Sequence, residues 1–240
     1  MVKLIVNADD FGMTCGINKG IIKAYEEGIV NSTTIMMNGF AVDEAMEYAK
    51  KNPSLGLGIH LVLTFGKPLS DDVSSLIDKN GDFYKHKHFR NSTTLNLNEI
   101  EKEWDAQIQR FLSYDLFPTH IDSHHHIHST PLLIDVVKNL SLKYDLPVRV
   151  ISTSKIEGIT PFSDLFFYDF YEKGVTMDYF EKFQSYGDDA IIEVMTHPGE
   201  VDDVLRSCSS YVEFREQELE VLLHTKLPVG VELLEFHKKV

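Results

Sequence analysis

Basic residues are scarce in this chain: 23 lysines and arginines stand against 37 aspartates and glutamates in 240 residues, leaving a net charge of −14. A surface that acidic repels phosphate backbones, so nucleic acid is excluded as a partner unless a local basic patch offsets it. None does, because Lys85–Arg90 (KHKHFR) is too short to be more than a mobile, partly basic loop. Cysteine is scarcer still. Cys15 and Cys208 lie far apart and outside any CxxC spacing, which excludes a disulfide framework and a thiolate zinc site and suits a reducing cytoplasm. Long apolar runs are missing as well. The opening MVKLIVNADD meets its acids too early for a signal-peptide core, and no run approaches transmembrane length. A cytoplasmic protein without a membrane partner is expected.

What the chain does contain is ordinary for a soluble, well-packed domain, with 43% hydrophobic and 25% charged residues. Its length is one that α/β barrels commonly fill as a single domain. The unusual stretch is Thr119–His128 (THIDSHHHIH), in which His120, His124, His125, His126 and His128 surround Asp122. Pro118 and Pro131 bracket it, so a strand or strand–loop segment fits better than a helix. In an extended segment, Asp122, His124, His126 and His128 would share one face and His125 would take the other. Neutral imidazoles beside a carboxylate make a natural divalent-metal site.

Other groups of the same kind fall at the ends of predicted strands. Leu4–Val6 reads as a strand buried on both faces and runs into Asp9 and Asp10. One aspartate could cap the helix that follows over 16–27; two exceed that need and point to a bound cation or a charged partner. A strand over 32–37 and a helix over 42–51 come next, then a strand over 55–64 that carries His60. A lone histidine in an apolar run is ordinarily core, but a barrel would bring this one to the strand end bearing Asp9 and Asp10. Residues 67–98 lose periodicity and read as a long loop excursion near the mouth of the site, with Tyr84, His86 and Phe89 as ligand contacts, or else as a disordered flap.

Helical spacing returns over 97–114, where Ile100, Trp104, Ile108, Phe111 and Leu112 form a core stripe. A helix over 131–144 precedes a strand over 148–152, whose Arg149 is expected to pair with a carboxylate or to snorkel at the surface. The aromatic run over 162–171 would line a sugar-sized pocket or a dimer contact, and 177–186 reads as helical. The strand over 190–195 ends at His197-Pro198-Gly199, where a histidine fixed by a turn suits acid–base work. A helix over 211–223 and a strand over 229–236 close the chain. About seven strand–helix alternations with no linker or repeat give one α/β domain, 1–240, built as a barrel or distorted barrel.

A barrel gathers strand ends at one rim, which brings together Asp9, Asp10, His60, the histidine cluster and His197. One carboxylate and two imidazoles leave open positions on a divalent metal, as catalysis requires. Asp9 then fits the role of base toward water and His197 that of acid toward the leaving group. The chemistry is metal-assisted hydrolysis of an amide or ester.

NADDFG at 7–12, NSTTIMMNG at 31–39, GIHLVLTFGKPL at 58–69, THIDSHHHIH at 119–128 and EVMTHPG at 193–199 resemble, in order, the motifs of the YdjC-like carbohydrate deacetylases. This family includes the chitooligosaccharide deacetylases that act on chitobiose-type sugars. The resemblance implies a single-domain distorted (β/α) barrel of mostly parallel strands that removes acetyl groups from small N-acetylated sugars, phosphorylated ones included, with a divalent metal. By position it implies Asp10, His60 and His124 as metal ligands, with His126 and His128 as alternatives to His124. It further implies Asp9 as base, His197 as acid and Arg149 as the arginine that orients the catalytic carboxylate. Magnesium is the family's usual cation, whereas two imidazoles favour zinc, cobalt or nickel. A homodimer is also implied. The match is weakest over 67–98 and beyond Gly199, where substrate selection is expected. Rival readings are a phosphoesterase on the same site and a sugar-binding barrel without turnover.

Overall fold

A computed structural model of the chain describes residues 1–150, 156–187 and 189–236. Its strands are β1 (Val2–Phe11), β2 (Ser32–Ile35), β3 (Gly56–Leu61), β4 (Ile121–Ser123), β5 (Leu165–Phe167), β6 (Ile191–Thr196) and β7 (Val231–Leu233). Its helices are α1 (Cys15–Glu26), α2 (Val42–Lys51), α3 (His86–Asn91), α4 (Leu97–Leu112), α5 (Ile134–Tyr144), α6 (Asp203–Cys208) and α7 (Glu213–His224). The fold class is the expected α/β one, and the ladders between strands run parallel. Residues 1–35, 40–57 and 163–240 group into one compact unit, and residues 36–39 and 58–162 into a second.

In the first unit β1 is central. It pairs with β2 from Asn7 against Ser32, with β6 over Lys3–Ala8, and with β7 over Val2–Leu4, while β5 flanks β6. Leu4, Ile5 and Val6 have no exposed surface, which is why their run is apolar without alternation. Helix α1 starts at Thr14, whose Oγ1 accepts the Ile17 N–H at 3.3 Å. Neither Asp9 nor Asp10 is that cap.

β3 begins in the first unit, where the Gly56 N–H donates to the Asn31 carbonyl at 3.0 Å. Its later residues belong to the second unit, and Ile59–Leu61 lie beside Ile121–Ser123 of β4. Helix α4 buries Ile100, Trp104, Ile108 and Phe111 completely, as its periodicity predicts, while Leu112 of the same expected stripe is only half-buried. Glu103 and Gln107 share that buried face. The Gln107 amide brackets Val62, giving to its carbonyl and accepting its N–H, each at 2.8 Å. The Glu103 carboxylate accepts the N–H groups of Leu69 at 3.0 Å and Ser70 at 2.8 Å. Burial pushes the Glu103 carboxyl up, and these donors oppose it.

The stretch over 67–98 is built around its own apolar cluster. Val73, Leu76, Phe83 and Phe89 are buried, and Ile77 bridges Phe83 antiparallel. Phe89 has no exposed surface and belongs to the core. The run read as a basic loop forms α3 around that residue. Further departures are local: residues 179–185 form a 3-10 turn in place of a helix, and α5 is preceded by another over 131–133. The strand expected over 148–152 reduces among the described residues to Val148, bridged to Ile121 and Pro161, and residues 151 and 152 lie outside them.

Candidate active site

In the first unit the C-terminal half of β1 carries an extra residue. Ala8 pairs with Thr33 and Phe11 with Ile35, so three steps on β1 meet two on β2. This bulge re-aims the side chains at Asp9 and Asp10. Asp10 takes a left-handed backbone (φ 71°), a conformation uncommon outside glycine and concentrated at functional sites. Both carboxylates are buried. Asp9 Oδ1 accepts from Asn7 Nδ2 at 2.8 Å, and the Asn7 side chain is held in turn by Ser32, whose hydroxyl donates to Asn7 Oδ1 at 2.6 Å. Asp10 Oδ2 receives the Arg215 guanidinium of α7 at 2.6 Å, both side chains 2% exposed. His197 follows β6, whose Thr196 donates to the Asn7 carbonyl at 3.0 Å. Its backbone N–H donates to the buried Glu218 carboxylate, also on α7.

In the second unit, parallel pairing sets His60 opposite Asp122. His60 Nδ1 lies 2.7 Å from Asp122 Oδ1, and Arg149 reaches Asp122 Oδ2 at 2.8 Å, all three buried. Burial works to raise the Asp122 carboxyl, but Arg149 and His60 outweigh it and hold the group below the usual carboxylate range. Arg149 is thus paired rather than snorkelling, and the carboxylate it orients is Asp122. With Nδ1 given to Asp122, the His60 lone pair is directed to Nε2, the pattern of a metal-ligating histidine steadied by a carboxylate.

The histidine tract departs from the alternation expected of a strand. β4 ends at Ser123, and a tight turn follows in which His125 (φ 56°) and His126 (φ 54°) are both left-handed. Faces are therefore assigned residue by residue. The His124 ring lies 5.7 Å from that of His60. His125 Nδ1 is 2.8 Å from Thr64 Oγ1, its carbonyl accepts from Arg90 at 2.8 Å, and the His86 ring lies 5.0 Å away. The His128 ring is used at both nitrogens, by Ser123 Oγ at 2.6 Å and the Arg149 carbonyl at 2.9 Å. That makes His128 a poor alternative to His124. His120 stacks on Phe162 at 3.6 Å.

Burial pushes His128 down to about 4 from an ordinary 6.5, against the pull of Asp122. Below 6.5 the unfolded chain takes up this proton first, so the stabilisation is complete above 6.5 and is lost as pH falls toward 4. On the order of 3 kcal/mol rides on this one group. Urea midpoints of the wild type are expected to fall over that window, and those of His128→Gln to fall less. Parallel pH slopes would contradict this assignment.

Carboxylates and imidazoles suited to a divalent metal are thus present among the described residues, Asp9 and Asp10 in the first unit and His60, Asp122 and His124 in the second. Arg215 and Glu218 are the buried charged partners of Asp10 and His197 that sequence reading missed. Their signal was available: with Leu222 they fall at i, i+3 and i+7 on α7, placing two ions on a buried helix face.

Comparison with known proteins agrees with this chemistry. The family model described as "YdjC-like protein" matches residues 3–230. A protein of Oceanobacillus iheyensis named carbohydrate deacetylase is 44% identical over 231 residues, 96% of this chain and 100% of that protein. A carbohydrate deacetylase of Geobacillus stearothermophilus is 44% identical and covers 98% of each chain. A crystal structure from Enterococcus faecalis, named as a candidate cellobiose-phosphate cleavage protein, superposes with a TM-score of 0.84 at 36% identity, over 92% of this chain and 90% of that one. The expected fold class, an α/β distorted barrel, stands on that likeness.

Proposed function

This chain belongs to the YdjC-like family, and on that premise we propose that it is a metal-dependent carbohydrate deacetylase, one domain over 1–240, acting on small N-acetylated sugars of the chitobiose type. The observation that carries the reading is near-full-length identity, 44% over 96% of the chain, with a relative named for that activity. His60, held through Nδ1 by Asp122 at 2.7 Å, supports the metal dependence. Asp10, His60 and His124 would hold one divalent cation. The donor set fits such an ion: the family resemblance favours magnesium, and two imidazoles favour zinc, cobalt or nickel. When bound, the cation supplies Lewis acidity to the acetyl carbonyl and the attacking water.

The chain's own residues move the protons. Asp9, steadied by Asn7 at 2.8 Å, accepts the proton of the attacking water. His197 delivers a proton to the leaving nitrogen as the amide C–N bond breaks, so that acetate and a free amine are released. Arg149 acts at one remove, fixing Asp122 and through it His60. The enzyme works in the cytoplasm as a homodimer on imported sugars, free or phosphorylated, and the segment over 67–98 selects among them.

Acetate release from N,N′-diacetylchitobiose and from its phosphorylated form, by metal-loaded protein, tests the reading. Wild type is expected to release acetate, with Asp9→Asn and His197→Ala each lowering kcat on the order of 10²–10⁴-fold. No acetate from either sugar with metal bound would sink the proposal, and phosphate release in its place would favour a phosphoesterase.

A further inference from the structure

Helix α7 looks like scaffold in sequence, yet Arg215 and Glu218 are buried on one of its faces, 2% and 0% exposed. Arg215 serves Asp10. Glu218 is turned to His197, and its three neighbours are separable. One carboxylate oxygen accepts the His197 backbone N–H. The other accepts the Tyr211 hydroxyl at 2.5 Å and lies 3.8 Å from His197 Nδ1. That last separation is ion-pair range and not a hydrogen bond. His197 Nδ1 is buried and has no hydrogen-bond partner among the described residues.

The ring itself is walled by aromatics. Tyr171 and Tyr211 stack on each other at 4.3 Å and meet the His197 ring edge-on at 5.8 Å and 5.6 Å. A buried carboxylate is costly, and the two donors that reach this one, the His197 N–H and the Tyr211 hydroxyl, are both neutral. The negative charge is what those two bonds leave unexplained, and the atom facing it is Nδ1.

We propose that Glu218 is a positioning residue for His197: it fixes the backbone on one side, faces Nδ1 with its charge, and so presents Nε2 to the substrate. This rests on the deacetylase reading, in which His197 is the proton donor. The charge stabilises the imidazolium before transfer. The Nε2–H bond then breaks as the C–N electron pair passes to the leaving nitrogen, the proton joins that nitrogen, the imidazole becomes neutral, and Glu218 remains a carboxylate throughout.

The test compares wild type with Glu218→Gln and Glu218→Asp, all metal-loaded, on N,N′-diacetylchitobiose and on p-nitrophenyl acetate, whose leaving group needs no proton. Glu218→Gln is expected to lower kcat on the sugar amide on the order of 10–10²-fold, with KM and ester turnover changed no more than about threefold, because only the amide depends on general acid. Glu218→Asp, which keeps the charge, is expected to recover part of the loss. Equal losses on both substrates, or an unchanged amide kcat, would overturn the assignment. Should wild type release no acetate, the deacetylase reading fails by itself. The pairing is then still decided by ¹⁵N-histidine spectra: the His197 Nδ1 resonance, identified by its loss in His197→Ala, must shift in Glu218→Gln, and an unmoved resonance rejects it.

Discussion

Asp122→Ala is expected to cost this protein about 3–5 kcal/mol of stability, because it removes the carboxylate that faces a buried guanidinium. Arg149 lies 2.8 Å from the lost carboxylate, and both side chains are fully buried. The same substitution frees the His60 ring, whose Nδ1 is 2.7 Å from Asp122, and loss of such a carboxylate weakens metal affinity about 10–100-fold. Urea unfolding and calorimetric titration with zinc or nickel read the two effects separately. Asp122→Asn keeps the shape and tests the charge alone. A variant that unfolds more readily but binds metal as the wild type does would mean that Asp122 supports the fold and not the ligand.

Arg215→Met is expected to be comparably damaging, about 3–5 kcal/mol, by leaving the Asp10 carboxylate buried without its guanidinium. Here the metal supplies a sharper test. If Asp10 is a ligand, a bound divalent cation restores positive charge beside it, and binding to the folded state alone adds stability by mass action. The gap in Tm between wild type and Arg215→Met should therefore narrow when saturating cation replaces EDTA. A gap of the same size in both conditions would argue against Asp10 as a ligand.

Much of this was legible in the chain. The double-sided burial of Leu4–Val6 and the stripe Ile100–Trp104–Ile108–Phe111 follow from period alone, and α2 falls at the predicted residues. The chemistry-bearing strand ends could be read as well, because two adjacent carboxylates or a histidine inside an apolar run conflict with burial unless something compensates. What stayed hidden depended on partners remote in sequence. Asp10 and Arg215 are 205 positions apart, and no local pattern announces such a pair. Alternation along the histidine tract failed because two consecutive left-handed residues, His125 and His126, reverse the backbone where a strand would continue. Period-based reading also missed the core role of Phe89, since an isolated apolar residue among basic ones carries no periodic signal.

Within the second unit, the excursion over 67–98 is held at both ends and at α3, where Arg90 donates to the His125 carbonyl at 2.8 Å. Its first residues are gripped by Glu103 through the amides of Leu69 and Ser70, and α4 caps its far end with Asn96, whose side chain accepts the Glu99 N–H at 3.3 Å. The grip at the entry uses main-chain donors, which residues other than proline carry regardless of side chain. Between these two clasps the buried Val73, Leu76, Phe83 and Phe89 are held by packing, and the exposed positions among them are the ones open to exchange. Natural divergence or laboratory mutagenesis can rewrite those exposed positions while the buried four and the two clasps keep the segment on α4. On the proposed function, those exposed positions are where preference among sugars would be retuned while Asp122, His60 and Arg149 stay where they are.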